Sequence, residues 1–187
     1  LAQQVIAEFG TIDIVVNAAG DSIRKPVIAL PGGDLEGMTS QEWHDIVNIN
    51  LTEAFEGCRV FGPHMVKRGS GTVINVSSFA ARKASVNLSA YGAGKAALTR
   101  FTETVALEWA PFGVRVNTIA PGQFPDPEQL TDEQFKQRDE AAKARGVPLA
   151  RVGRMREVGL MGVYLASDAS AYVTGQTFYI DGGLVLA

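Results

Sequence analysis

The sequence is poor in cysteine: Cys58 is the only one among 187 residues. A lone thiol forms no internal disulfide and no cysteine-based metal cage, which fits a reducing compartment such as the cytoplasm. Long apolar runs are also lacking. No window approaches the roughly 20 uninterrupted apolar residues of a membrane-spanning helix, so no membrane partner is expected. Positive charge is not in excess: 17 Lys and Arg against 20 Asp and Glu leave a net charge of -3, and the pI is about 5.4. That balance does not suit a nucleic-acid surface, which requires clustered Lys and Arg. There is no Gly-x-Ser-x-Gly, His-Glu-x-x-His or Cys-x-x-Cys pattern, so hydrolase and metal-site readings lack support and no metal ligands are expected. Cys58, Trp43 and Trp109 match no chemical motif and read as packing residues, while His44 and His64 read as partly exposed. Internal repeats, low-complexity tracts and interdomain linkers are absent, and residues 1–187 read as a single domain.

What is present is an alternation of two patterns. "LAQQVIAEFG" reads as helix, with Leu1, Val5 and Phe9 on one stripe and Gly10 as its stop. No Ser, Thr, Asp or Asn caps it, and the chain opens on Leu1 rather than Met, so the sequence is expected to be a piece of a longer chain. A buried strand is expected at 12–17, then a loop broken by Pro26, Pro31, Gly32, Gly33 and Gly37. Thr39 and Glu42 form a capping box opening one long helix to about Lys67, and "TVINVSS" follows as a second strand. A helix at 88–110, the strand "VRVNTIAPG", a helix at about 156–167 and the strand "QTFYID" complete the pattern. The polar segment 126–146, with a capping box at Thr131 and Gln134, reads as a mobile helical insert. Strands alternating with helices at this spacing give an α/β fold, a parallel sheet with helices on both faces.

The stretch "SAYGAGKAAL" at 89–98 admits two chemical readings. A nucleotide phosphate loop needs Gly, four residues, then Gly-Lys-Ser or Gly-Lys-Thr between a strand and a helix. Here Ser89 stands five residues before Gly94, Ala96 follows Lys95, and Lys95 lies inside the helical pattern. The pattern fails at both ends. The other reading pairs Tyr91 with Lys95, four residues apart on one helix face. An ammonium beside a phenol favours the phenolate and makes the tyrosine a usable proton donor to a developing alkoxide. Taken singly, Ser77 or Ser78 would be a satisfied strand-end hydroxyl, Asn50 a helix-surface amide, and "NAAG" a strand ending in a tight turn.

Taken together these stretches resemble the short-chain dehydrogenase/reductase family. The resemblance rests on "NAAG" at 17–20, "NINL" with Asn50, "INVSS" with Ser78, "YGAGK" with Tyr91 and Lys95, "VNTIAPG" ending at Gly122, and "SDASAYVTGQTFYIDGG" at 167–183. It spans essentially the whole chain and implies a Rossmann-like doubly wound sheet. The implied activity is hydride transfer between NAD or NADP and a small carbonyl or secondary alcohol. By carry-over, Tyr91 is the general acid/base, Ser78 holds the substrate oxygen, Lys95 binds the nicotinamide ribose and lowers the pKa of Tyr91, and Asn50 anchors a relay water. Asn17, Ala19 and Gly20 would line the adenosine side, and Pro121, Gly122 and Phe124 the nicotinamide. "SIRKP" at 22–26 resembles sugar-acid dehydrogenases acting on gluconate or deoxygluconate, and Arg24 or Lys25 would pair with a carboxylate. A 3-oxoacyl thioester reductase shares the core motifs, with substrate choice in loops 21–38, 79–90 and 123–150. The helices at 40–67 and 88–110 resemble the family's subunit-packing pair, implying a homo-oligomer, dimer or tetramer.

The sequence departs from the family pattern in places. Only nineteen residues precede Gly20, so the family's glycine-rich phosphate turn and its first strands are missing, and with them the residues that choose NAD or NADP. The strand at 12–17 is then expected to have an unpaired apolar edge. Ala18 replaces the usual second Asn of "NNAG". "QFPDPEQ" follows Gly122 where a Thr is frequent, and Asp126 would repel a phosphate. The alternative function is a catalytically inactive fragment acting as an oligomerisation or interaction partner.

Overall fold

The computed structural model describes residues 1–187. Helix α1 (Ala2–Phe9) ends where Gly10 takes the left-handed conformation and returns its N–H to the Ile6 carbonyl. The buried side of α1 is Ala2, with Val5 and Ile6 half-buried against the core, whereas Leu1 and Phe9 are exposed. Of the expected Leu1, Val5 and Phe9 stripe only Val5 packs on the core, and the covered side runs through Ala2 and Ile6, because the position of the sheet selects which residues are covered.

Strand β1 (Ile14–Asn17) leads through the 18–39 loop to α2 (Ser40–Val47). Both halves of the Thr39/Glu42 capping box are formed. The single long helix expected here is broken in register: Asn48–Thr52 is a π turn, after which α3 (Glu53–Arg68) continues. Strand β2 (Gly71–Val76), helix α4 (Ser89–Trp109) and strand β3 (Val114–Pro121) follow. Helix α5 (Asp132–Ala144), helix α6 (Met155–Ala166) and strand β4 (Thr177–Ile180) complete the order.

The four strands form one parallel sheet in the order β1-β2-β3-β4. Parallel strands covered on both faces need near-continuous apolar runs, and β2 shows why. Val73 joins the cluster made with α1, α3 and α4, and the next residue, Ile74, joins Leu165 of α6 on the other face. Met65 of α3 is fully buried in the first cluster, a burial worth about 1.5–3 kcal/mol. Helices thus lie on both faces, as expected. β1 is an edge strand, and Ile14 and Val16 remain exposed.

A buried polar string ties the first layer together. Asn17 donates to Asn75 at 2.8 Å, Asn75 donates to Thr102 at 2.8 Å, and Thr102 donates to the Leu98 carbonyl. Removing one member leaves a partner unsatisfied, at a cost of about 1–3 kcal/mol. The 126–146 segment is more integrated than a mobile insert. Ala142 of α5 is fully buried against Val147, Val152 and Leu184, and Asp139 holds Arg154 at 2.7 Å. Trp109 packs on the core, while Trp43 stays 38% exposed.

Candidate active site

In parallel sheets, reactive groups gather beyond the carboxyl ends of the strands. Here β1 delivers Ala18–Ser22, β2 delivers Ser77 and Ser78, and β3 delivers Pro121 and Gly122. The first turns of α4 add Tyr91 and Lys95. These segments enclose a cleft of about 350 Å³ whose lining includes Gly20, Ser78, Tyr91, Lys95, Pro121 and Gly122, with Phe124 beside them. A second cleft of about 470 Å³ adjoins it and shares Ser78, Tyr91, Gly122 and Phe124. A wider cleft of about 790 Å³ lies at the opposite end of the sheet, around Asp13, Arg68 and Arg115, and contains no comparable Ser, Tyr and Lys set.

Lys95 is 3% exposed, and its ammonium donates to the Val76 carbonyl at 2.8 Å. Burial lowers its pKa from 10.5 to about 8. Its Nζ lies 5.9 Å from the centre of the Tyr91 ring. Asn50 sits in the π turn, 1% exposed, and donates to the Asp21 and Ile46 carbonyls. Its Oδ1 is buried without a partner, an arrangement that invites a water or a donor group. Gly20 closes over both groups: a Cβ there would stand 2.9 Å from Asn50 Oδ1 and 2.9 Å from Lys95 Nζ. A side chain there would have to displace one of these two groups.

The two strand-end serines differ. Ser77 donates to the Lys95 carbonyl at 2.9 Å and lies 3.2 Å from the Thr99 hydroxyl, which is a structural role. Ser78 accepts from the Ala80 amide at 3.2 Å and lines both clefts beside Tyr91. Asn17 turns its amide inward to Asn75, away from the cleft, and Ala19 is exposed just outside it. Lys25 already has a carboxylate, Glu42, at 2.6 Å, and that ion pair with the Thr39 cap lowers the Glu42 pKa to about 2. Arg24 instead lines the larger of the two clefts. Asp126 lines it too, its oxygens accepting from the Glu128 amide and the Gln129 side chain. Cys58 is buried and its thiol is pushed up to about 11, so it is inert. Arg138 and Arg145 also line this cleft. Sequence reasoning missed them, although their seven-residue spacing within the expected helical insert was a readable signal.

The chain as a whole has known counterparts. Residues 1–185 match the family model described as enoyl-(acyl carrier protein) reductase. The chain is 36% identical over 186 residues to the 3-oxoacyl-(acyl-carrier-protein) reductase FabG of Thermotoga maritima, covering 100% of this chain and 71% of that protein. It is 37% identical over 182 residues to 3beta-hydroxysteroid dehydrogenase 1 of Eggerthella lenta, covering 95% of this chain and 65% of that one. Among solved structures, a gluconate 5-dehydrogenase from Burkholderia cenocepacia in complex with NADP and tartrate superposes with a TM-score of 0.85 at 32% identity, covering 100% of this chain and 69% of that one. With the parallel sheet and the clustered Ser78, Tyr91 and Lys95, these matches show that the chain belongs to the short-chain dehydrogenase/reductase family of oxidoreductases.

Proposed function

We propose that the chain catalyses reversible hydride transfer between a nicotinamide dinucleotide, NAD or NADP, and a small carbonyl or secondary alcohol, with Tyr91 as the general acid/base. The observation that carries this reading is the meeting of Tyr91, Ser78 and the buried Lys95 on one cleft, backed by the unpartnered Asn50 oxygen. The residues present fit such a cofactor. Gly20 leaves open the space in front of Lys95 that any side chain would fill, and Pro121, Gly122 and Phe124 form the facing wall. Bound there, the dinucleotide would supply or accept the hydride, the chemistry a protein side chain cannot perform.

The chain's own groups do the rest. The Tyr91 hydroxyl gives its proton to the carbonyl oxygen in reduction and takes one from the alcohol in oxidation. The Ser78 hydroxyl donates a hydrogen bond to the same oxygen and orients it. Lys95, with a pKa of about 8, is mostly cationic at neutral pH, and its Nζ lies 5.9 Å from the centre of the Tyr91 ring. Its ammonium is also the group available to cofactor hydroxyls, and Asn50 Oδ1 accepts from a water that returns the proton to solvent. Asn17 contributes through its backbone, since its amide is committed to Asn75. Replacement of Tyr91 by Phe keeps the ring and removes the proton. Oxidation of reduced cofactor by an acetoacetyl thioester, or reduction of oxidised cofactor by gluconate, is expected to fall roughly 10²–10⁴-fold. Unchanged rates in Tyr91→Phe would remove Tyr91 from the mechanism.

The substrate is a sugar acid or a 3-oxoacyl compound, a reading supported by the gluconate 5-dehydrogenase and FabG likenesses. A homo-oligomer, dimer or tetramer, is supported by the exposed apolar side chains of the α3–α4 layer, Phe55, Val60 and Leu107, with Phe112 just beyond α4. The cytoplasm is the setting that an unpaired Cys58 suits. A second reading, an interaction partner without turnover, rests on the same exposed apolar side chains, and the assay above separates the two.

A further inference from the structure

We infer that the cleft beside Tyr91 recognises a substrate through an oxyanionic end, a carboxylate or phosphate, gripped by Arg138 and Arg145 together with Arg24. The inference deepens the oxidoreductase reading by giving its substrate a charge. The cleft of about 470 Å³ carries Ser78 and Tyr91 in its lining, and the same lining includes these three arginines. All three are exposed, and none has an ion pair or a side-chain hydrogen bond within the chain. The arginines just beyond α5 behave differently: Arg151 is held by Glu157 at 2.6 Å and Arg154 by Asp139 at 2.7 Å.

The packing of α5 accounts for the difference. Phe135, Asp139 and Ala142 fall on one face and fasten the helix to the body, Phe135 and Ala142 through the apolar cluster and Asp139 through Arg154 and the Val152 amide. Arg138 falls on the neighbouring stripe of α5, and Arg145 follows as the residue that caps its C-terminal end. Asp126 is the carboxylate on this cleft, and both its oxygens already accept hydrogen bonds from its own turn. In a chain of net charge -3, three unpaired guanidinium groups on one cleft are a local feature and not a generally basic surface. A guanidinium presents a planar fork of donors that matches a carboxylate or phosphate in two-point fashion. The bland alternative is three solvated side chains, with Arg145 merely complementing the C-terminal end of α5.

Calorimetric titration of the full chain at low ionic strength decides between them, with tartrate, inorganic phosphate and the uncharged tetrol erythritol as probes. Tartrate or phosphate is expected to bind both the unsubstituted protein and Tyr91→Phe. Erythritol is expected to bind roughly tenfold or more weakly, and Arg138→Gln and Arg145→Gln each to weaken the anion roughly tenfold. Arg156→Gln, an exposed arginine outside the cleft, is the control and should change nothing. The tighter of tartrate and phosphate identifies the group as carboxylate or phosphate. Equal binding of erythritol, absence of binding by both anions, or insensitivity to Arg138→Gln and Arg145→Gln overturns the proposal. Binding is read without cofactor or turnover, so these outcomes are distinct from a failure of the hydride-transfer reading.

Discussion

At the residue scale Lys95 is the group that couples the site to folding. Its pKa of about 8 against an ordinary 10.5 comes from burial, so at neutral pH the folded protein carries a desolvated ammonium that opposes folding. Between about 8 and 10.5 the unfolded chain binds a proton that the folded chain lacks, and stability rises with pH. Lys95→Met removes the charge and also the hydrogen bond to Val76. The variant is expected to be inactive yet more stable at neutral pH by roughly 2 kcal/mol, the balance of desolvation relieved and hydrogen bond lost. Denaturant unfolding at several pH values checks this: the gain should shrink as pH climbs from 8 to 10.5, and a gain that grew would contradict the assignment. The Tyr91–Lys95 pair was legible in the sequence because helical spacing alone sets it. The partnerless oxygen of Asn50 was not, because the amide is oriented by the Asp21 carbonyl on a loop 29 residues earlier.

At the element scale, two glycines in helices carry opposite expectations. Gly62 lies in α3 against the ring of Trp109, with Trp109 Cζ2 only 2.7 Å from where a Cβ would stand. Gly159 of α6 has nothing within 4 Å. Gly159→Ala should stabilise by about 0.5–1 kcal/mol through helix propensity. Gly62→Ala should destabilise by about 1–3 kcal/mol, because overpacking outweighs that gain. Thermal unfolding of both variants checks the signs. Elements whose determinants are local were readable: the Thr39/Glu42 and Thr131/Gln134 boxes each close within one turn. The π turn at Asn48–Thr52 was not, since a shift from i+4 to i+5 bonding leaves the composition unchanged. The seating of α5 escaped for a related reason: its anchor Ala142 is a small residue in a charged helix, buried only because Val147, Val152 and Leu184 fold back onto it.

At the scale of the whole molecule, the uncovered apolar surface is informative. Leu107 is 79% exposed and Phe112 50% exposed at the end of α4, on a helix whose other side is core. Large apolar side chains left exposed in this way are candidates for an association surface. Leu107→Glu is expected to shift sedimentation velocity from an oligomer to a single chain while leaving the circular dichroism spectrum unchanged. An unsubstituted protein that already sediments as a single chain would count against the homo-oligomer. The central claim, that this cleft passes hydride with Tyr91 moving the proton, is tested most directly with a reduced cofactor carrying deuterium at its hydride position. The product alcohol is then examined by mass spectrometry. Deuterium is expected on the carbinol carbon of the product formed by the unsubstituted chain, with little or no labelled product formed by Tyr91→Phe in the same time. Product without deuterium, or equal label in both proteins, would contradict it.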